Sequence, residues 1–338
     1  MKKRIFAAAL AAAMLCAVLS GCSGSSSSSA AASSASESAA PQANEITVGI
    51  AQDLDESLDP HVAVAAGTKE VMFNVFEGLM KPTSDGDLTP AIAESYTLSD
   101  DQKTYTFTLR QGVKFHNGET VTADDVVYSI QRCADATAGE PLVSAFKAIE
   151  SVEKVDDQTV AITLKAPDNE FLAYLTTAIL PADYDQQDTA PVGTGPFKFI
   201  SRTAQDSIVL EKFDEYWGTP AQLDKVTFKI IENADSLVLS LQSGAIDLCA
   251  HLNSTQVAQL DQSQFKVLEG TMNLVQAMYL NNDVAPFDDV RVRQALSYAV
   301  DKQQIMDMIA DGHGAAIGSS MYPAFGKYFV PELTDYYT

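Results

Sequence analysis

Four histidines, four cysteines and one acidic loop hold the side chains best suited to chemistry in this 338-residue chain. No two of His61, His116, His251 and His313 lie within ten residues of each other, so no local metal-ligand spacing exists. No C-x-x-C pair occurs, which removes a zinc ribbon and a redox motif. No G-x-S-x-G elbow occurs either. Val192 to Phe197 contains Gly-Thr-Gly-Pro without a phosphate-loop pattern, and its glycines suit a tight turn and a close backbone approach. His116 sits in a turn and reads as structural. These patterns carry no catalytic, metal or cofactor motif. The loop Gln52 to His61 carries Asp53, Asp55, Glu56 and Asp59, and two readings stand side by side. It is a solvated acidic loop, or it is the lip of a cleft that touches ligand through its backbone and Leu54 or Leu58, with Asp55 and His61 beside them. The loop Ala250 to Ser254 makes Asn253 a second candidate, and His251 can border the same cleft.

These residues need elements to position them. Glu45 to Ile50 reads as a first strand, and the acidic loop follows its end. Thr68 to Leu79 places Val71, Met72, Val75, Phe76 and Leu79 at helical spacing. Thr104 to Leu109 alternates Thr with Tyr105, Phe107 and Leu109, the pattern of a half-buried strand. Thr122 is placed to cap a helix whose buried stripe is Val126, Val127, Ile130 and Cys133. Val152 to Lys165 predicts a hairpin turning at Asp156-Asp157-Gln158, followed by a helix over Glu170 to Thr177. Strands are expected at Val192 to Ile200 after the glycine turn, Ser207 to Phe213, Val226 to Ile231, Ile246 to Cys249, Phe265 to Leu268 and Asn273 to Leu280. Helices are expected at Ala234 to Gln242, stopped by Gly244, at Ser254 to Leu260, from an Asp288 cap to Val300, and from Asp301 to Ala310. This mixture predicts an α/β or α+β chain.

The first residues speak of compartment. Lys2, Lys3 and Arg4 precede a 15-residue apolar run, Ile5 to Leu19, which is too short for a spanning helix and right for a secretory signal. Leu19-Ser20-Gly21-Cys22 resembles a bacterial lipobox, which implies removal of residues 1–21 and lipidation of Cys22. The Ser- and Ala-rich stretch that follows, within residues 22–44, has almost nothing to bury and reads as a tether. The expected location is the outer face of a bacterial cytoplasmic membrane. The formal net charge is −23, a surface that disfavours nucleic acid. Of the four cysteines, Cys16 and Cys22 belong to the leader, and Cys133 and Cys249 are left as a disulfide or as two buried thiols.

Several segments, in order, resemble one family. The longest is TYTFTLRQGVKFHNGETVTADDVVYSIQR, Thr104 to Arg132. With it come Phe76-Glu77-Gly78-Leu79, Thr89 to Ser95, Val192 to Phe197, Tyr216-Trp217, Leu241 to Asp247, Leu280 to Asn282 and Pro286 to Leu296. Together they are similar to the peptide and nickel type of extracellular solute-binding protein, family 5. The resemblance implies a two-lobed fold like a periplasmic binding protein of the large peptide-binder subclass. Lobe I would cover 45–270 with a subdomain inserted at about 81–185, and 271–338 would begin lobe II. Family members run further, so a second lobe left incomplete is expected, either in a fragment or in a naturally shortened protein. Asn273 falls at the implied crossover, as hinge or as contact.

The function implied is that of a lipid-anchored receptor for an ABC importer. It would capture a peptide or similar small solute and deliver it as a monomer to permease transmembrane subunits served by cytoplasmic ATPase subunits. An extracellular peptide sensor and a nickel-chelate binder are the alternatives, with a secreted hydrolase as a more distant rival.

Overall fold

The structure, a computed structural model, describes residues 44–84, 86–137, 139–270, 275–323, 325, 329–334 and 336. Its strands are β1 (Glu45–Ile50), β2 (Met80–Pro82), β3 (Leu88–Pro90), β4 (Ala93–Leu98), β5 (Thr104–Leu109), β6 (Ile149–Asp156), β7 (Thr159–Leu164), β8 (Phe197–Thr203), β9 (Ser207–Lys212), β10 (Lys225–Ile230) and β11 (Leu248–Cys249). Its α-helices are α1 (Ala66–Met72), α2 (Ala123–Ala134), α3 (Ala234–Gln242), α4 (Ser254–Val257), α5 (Val290–Ala299) and α6 (Lys302–Ala310).

Two larger sheets organise these elements. The first has the order β11-β1-β10-β9-β8. In it β1 runs parallel to both its neighbours, while β9 is antiparallel to β10 and to β8. The second is an antiparallel sheet, β4-β5-β7-β6. The alternation of β5 buries Tyr105, Phe107 and Leu109 on one face, where α2 and the 3-10 turn Phe171–Thr176 cover them. The start of α2 is set locally. Thr122 and Asp125 form a reciprocal capping box that satisfies end N–H groups. Val126, Ile130 and Cys133 then face the sheet, fully buried. A second core lies against β8, β9 and β10 and gathers Leu54, Leu58, Val71, Val75, Ile208 and Leu210. A third joins α3 to Ile246 and Leu260.

Four expectations are corrected. The helix predicted over Thr68 to Leu79 ends at Met72. The Asn74 side chain turns back to donate to the carbonyls of Glu70 and Val71, and the carbonyls of Asn74 and Val75 accept from Phe197 and Gly195 at 3.1 and 2.9 Å. Those backbone groups are therefore committed to a distant segment and cannot continue a helix. Phe265 to Leu268 is not a strand, and neither are the described residues of Asn273 to Leu280. No strand pairs with either stretch, and Leu268 and Tyr279 stand 78% and 94% exposed. Alternation alone does not make a strand without a partner. The cap of α5 is Asp289 rather than Asp288; its carboxylate accepts from the Arg291 N–H at 2.8 Å. Cys133 and Cys249 are both free thiols, and burial pushes Cys133 up to about 12.

Candidate functional site

Because β1 is parallel to both β10 and β11, the C-terminal ends of all three strands open on one edge of the sheet. Residue pairs Ile50–Ile230 and Gly49–Cys249 close the ladders there. The loops 51–65, 231–233 and 250–253 leave from this edge, where open α/β sheets bind ligands. The structure thus brings together the two loops that the sequence singled out, although about 190 residues of chain separate them.

The acidic loop is not a solvated one. Leu54 and Leu58 are 6% and 1% exposed and belong to the second core. Asp53 accepts from Arg202 at 2.9 Å and from the Gln205 N–H at 2.8 Å, and the same guanidinium donates to the carbonyls of Leu54 and Asp55. Burial opposes the charge on Asp53, but the Gln205 and Leu54 N–H groups and Arg202 outweigh it and hold the carboxyl below its ordinary range. Asp55 accepts from the Ala65 and Val64 N–H groups at 2.9 and 3.0 Å just ahead of α1, which lowers its pKa as well. Asp59 is 4% exposed and takes both arms of Arg132 of α2 at 3.1 and 2.6 Å. His61 lies in the same cluster. Its Nε2–H donates to the Ala178 carbonyl at 2.8 Å and its Nδ1 accepts from Arg132 at 3.0 Å. Those partners demand the neutral imidazole. Burial, then the Arg132 cation, keeps His61 below its ordinary pKa against the pull of the Ala178 carbonyl and Asp59.

The second loop is held more lightly. Asn253 caps α4, accepting from the Gln256 N–H at 2.9 Å while Gln256 returns the bond. His251 has φ +60°, a left-handed conformation, and its Nε2–H donates to both carboxylate oxygens of Glu70 at 3.0 and 3.1 Å. This exposed pair ties the loop after β11 to α1. Asn273 and Cys22 lie outside the described residues. Sequence reasoning missed Glu70, Arg132 and Arg202. No local spacing could reveal the two arginines, since their partners are 73 and 149 residues away.

His116 is structural. Its Nε2–H donates to the Gly195 carbonyl and its Nδ1 accepts from the Gly193 N–H, and burial brings it down to about 4. Gly193 and Gly195 lie so close to the Asn74–Val75 backbone that a Cβ would meet its oxygens at 2.2 and 2.6 Å. Nearby, a crevice of about 430 Å³ is lined by Phe73, Phe76, Lys81, Thr176 and Tyr216 around buried Glu77. Glu77 accepts from the Tyr216 hydroxyl and the Trp217 indole N–H, both at 2.6 Å, and from Lys81 at 3.3 Å. With its carboxylate fully engaged, Glu77 acts as a clamp between β2 and the Tyr216–Trp217 turn. Among the described residues no group of three or more His, Cys, Asp and Glu side chains converges as a metal ion would need. No helix among them is long and apolar enough to cross a membrane.

Residues 87–338 match the sequence family described as bacterial extracellular solute-binding proteins, family 5, middle region. The chain belongs to this family. Heme-binding protein A of Haemophilus influenzae is 37% identical over 281 residues, 74% of this chain and 51% of that protein. The dipeptide-binding protein of Escherichia coli K12 is 32% identical over 281 residues, 74% of this chain and 52% of that protein. The solved structure of DppA from Helicobacter pylori, a periplasmic binding protein in complex with the peptide STSA, superposes with a TM-score of 0.68 at 29% identity. That match covers 82% of this chain and 60% of DppA. The mixed sheets described above are thus those of a family 5 periplasmic binding protein, covered in part. The chain spans about half the length of the curated family 5 relatives it matches.

Proposed function

We propose that this chain is the substrate-binding component of an ABC importer and captures peptides or a similar small solute at the strand-end edge. The observation that carries the reading is the pinned loop 51–65 at the C-terminal ends of parallel strands, in a family 5 chain. Two arginine clamps hold that loop as a preformed wall, and a preformed wall loses little entropy when ligand arrives. Loop 250–253 supplies a second wall beside it. Residues 45–270 serve as lobe I, with the segment at about 81–185 as an inserted subdomain, and 271–338 begin lobe II. Ligand shifts the population from open to closed, and the closed form is what the permease subunits recognise. Cys22 carries the lipid that keeps a monomeric receptor at the outer face of the membrane, and residues 23–44 are its tether.

Peptide binding is tested by calorimetry and thermal shift with trialanine, glutathione and haem. Saturable binding of a peptide supports the reading. Binding of none of the three overturns it. The anchor is tested in the native host. Cys22→Ser is expected to move the protein from the membrane fraction to the medium, or to leave it unprocessed. An unchanged membrane fraction overturns the anchor alone.

A further inference from the structure

A second concavity is built without the loops of the strand-end edge. The crevice of about 430 Å³ takes its walls from the residues just after α1, from β2 and from the turn at Tyr216, and no residue of loops 51–65 or 250–253 lines it. Phe73, Phe76 and Tyr216 give it three aromatic walls. Phe76 is buried, whereas Phe73 is 62% exposed and offers its ring to solvent. The frame is fixed. The Asn74 and Val75 carbonyls accept from the Phe197 and Gly195 N–H groups, and Glu77 holds Tyr216 and Trp217 at 2.6 Å. Burial, then the bond to Glu77, raises the Tyr216 pKa and keeps its hydroxyl a donor. A preformed, mostly apolar pocket with a polar group at its rim is the form that small-ligand sites take. Here that group is Lys81, whose side chain is 33% exposed. Its ammonium has three N–H groups. Two serve Glu77 and Tyr216, both at 3.3 Å, and among the described residues no acceptor takes the third. Lys81 and Arg110 both stand over Trp217, at 4.7 and 4.4 Å from its ring centre, and Glu77 is the one carboxylate bonded to this group. Two cations against one anion leave a local positive excess in a chain of net charge −23.

We propose that this crevice is a second ligand site and takes a small aromatic carboxylate. The ring enters between Phe73, Phe76 and Tyr216, where aromatic faces and edges pair favourably. The carboxylate stays at the mouth and accepts the third N–H of Lys81, a charge-assisted bond. Glu77 competes for Lys81 only through a 3.3 Å contact, since its short bonds go to Tyr216 and Trp217. The same cation repels an ammonium-ended ligand, and a neutral ring gains the aromatic walls alone. The inference goes beyond the transport reading and does not depend on it, because no residue of the strand-end loops takes part.

The full chain is titrated with 3-phenylpropionate and with its amide, 3-phenylpropanamide. Trp217 is the chain's only tryptophan and touches the crevice through Tyr216 and Lys81, so its fluorescence reports occupancy while calorimetry supplies the affinity. The acid is expected to change Trp217 emission saturably and to bind about tenfold more tightly than the amide. Lys81→Met is expected to bring the two probes within about threefold of each other. Phe73→Ala, at an exposed position, is expected to weaken both by about tenfold. Lys147→Met removes an exposed lysine outside the lining and should keep the wild-type preference. Thermal melts of all variants check that they fold. Trialanine is expected to bind the phenylpropionate-saturated chain as it binds the free one, and displacement of one by the other would merge the two sites and overturn the inference. No binding of 3-phenylpropionate at about 10 mM, or binding that neither crevice variant alters, overturns it as well and leaves the transport reading intact. Failure of trialanine, glutathione and haem to bind overturns the transport reading alone, so the two failures look different.

Discussion

The two loops at the strand-end edge are built in opposite ways. Loop 51–65 is bound to the body by Arg202, Arg132 and a buried histidine, with Leu54 and Leu58 inside the core. Loop 250–253 is held by a cap on α4 and by one exposed His251–Glu70 pair. Both loops follow parallel strands and both face the same edge, so topology does not explain the difference. Burial of charge does. An arginine clamp with a buried carboxylate is expensive to break from one side, whereas an exposed ion pair contributes little. One loop is therefore fixed to the body through buried charge, and the other is held through an exposed pair.

The comparison can be broken in five ways. Arg132→Met leaves Asp59 buried without its partner and removes the donor to His61, and it is expected to destabilise the fold by about 3 kcal/mol in urea unfolding. Leu58→Ala, at a 1% exposed site, should cost about the same through lost packing. A loss below about 1 kcal/mol in either variant would mean that the loop is not part of the cooperative body.

The next effect is on pH. His61 and His116 are held below the ordinary histidine value of 6.5, His116 at about 4. As pH falls below 6.5 the unfolded chain binds protons there that the folded chain refuses, so stability is present above this value and is lost on the way down. The window down to about 4 belongs to the histidines, because Asp53 and Asp55 start to lose their contribution only below their ordinary 3.8. A melting temperature lower by about 5 °C at the acid end of that window is expected, and a flat profile would contradict the buried neutral imidazoles.

Smaller still is Asp53→Asn. It keeps an acceptor for the Gln205 N–H but loses the charge opposite Arg202, for an expected loss of about 1 kcal/mol. His251→Ala should change stability by less than about 0.5 kcal/mol, since both members of its pair are exposed. A larger loss there would make loop 250–253 a structural wall like its neighbour, and the contrast between the loops would fall.

What could be read in advance followed the range of the interactions. The limits of β1, β5 and α3 agree with their local patterns, and α2 starts where Thr122 caps it. Each is decided within a few residues, by alternation, helical spacing or a cap. The two candidate loops were legible because each follows a strand with a clear apolar signature. The roles of their side chains were not legible, because Asp59 meets Arg132 and His61 meets Ala178 only after the chain folds back.

The sequence by itself determined the locally decided elements such as β1, β5 and α3, the acidic balance, the family motifs and the loops that leave the strand ends. Tertiary structure decided which acids are clamped by buried arginines and which one pairs with a histidine at the surface. It also ended α1 at Met72, by turning the Asn74 and Val75 carbonyls toward the N–H groups of Phe197 and Gly195 in that order. The physical reason is common to both. A charge or a backbone carbonyl takes whichever donor lies nearest in space, and burial then makes that choice hard to reverse.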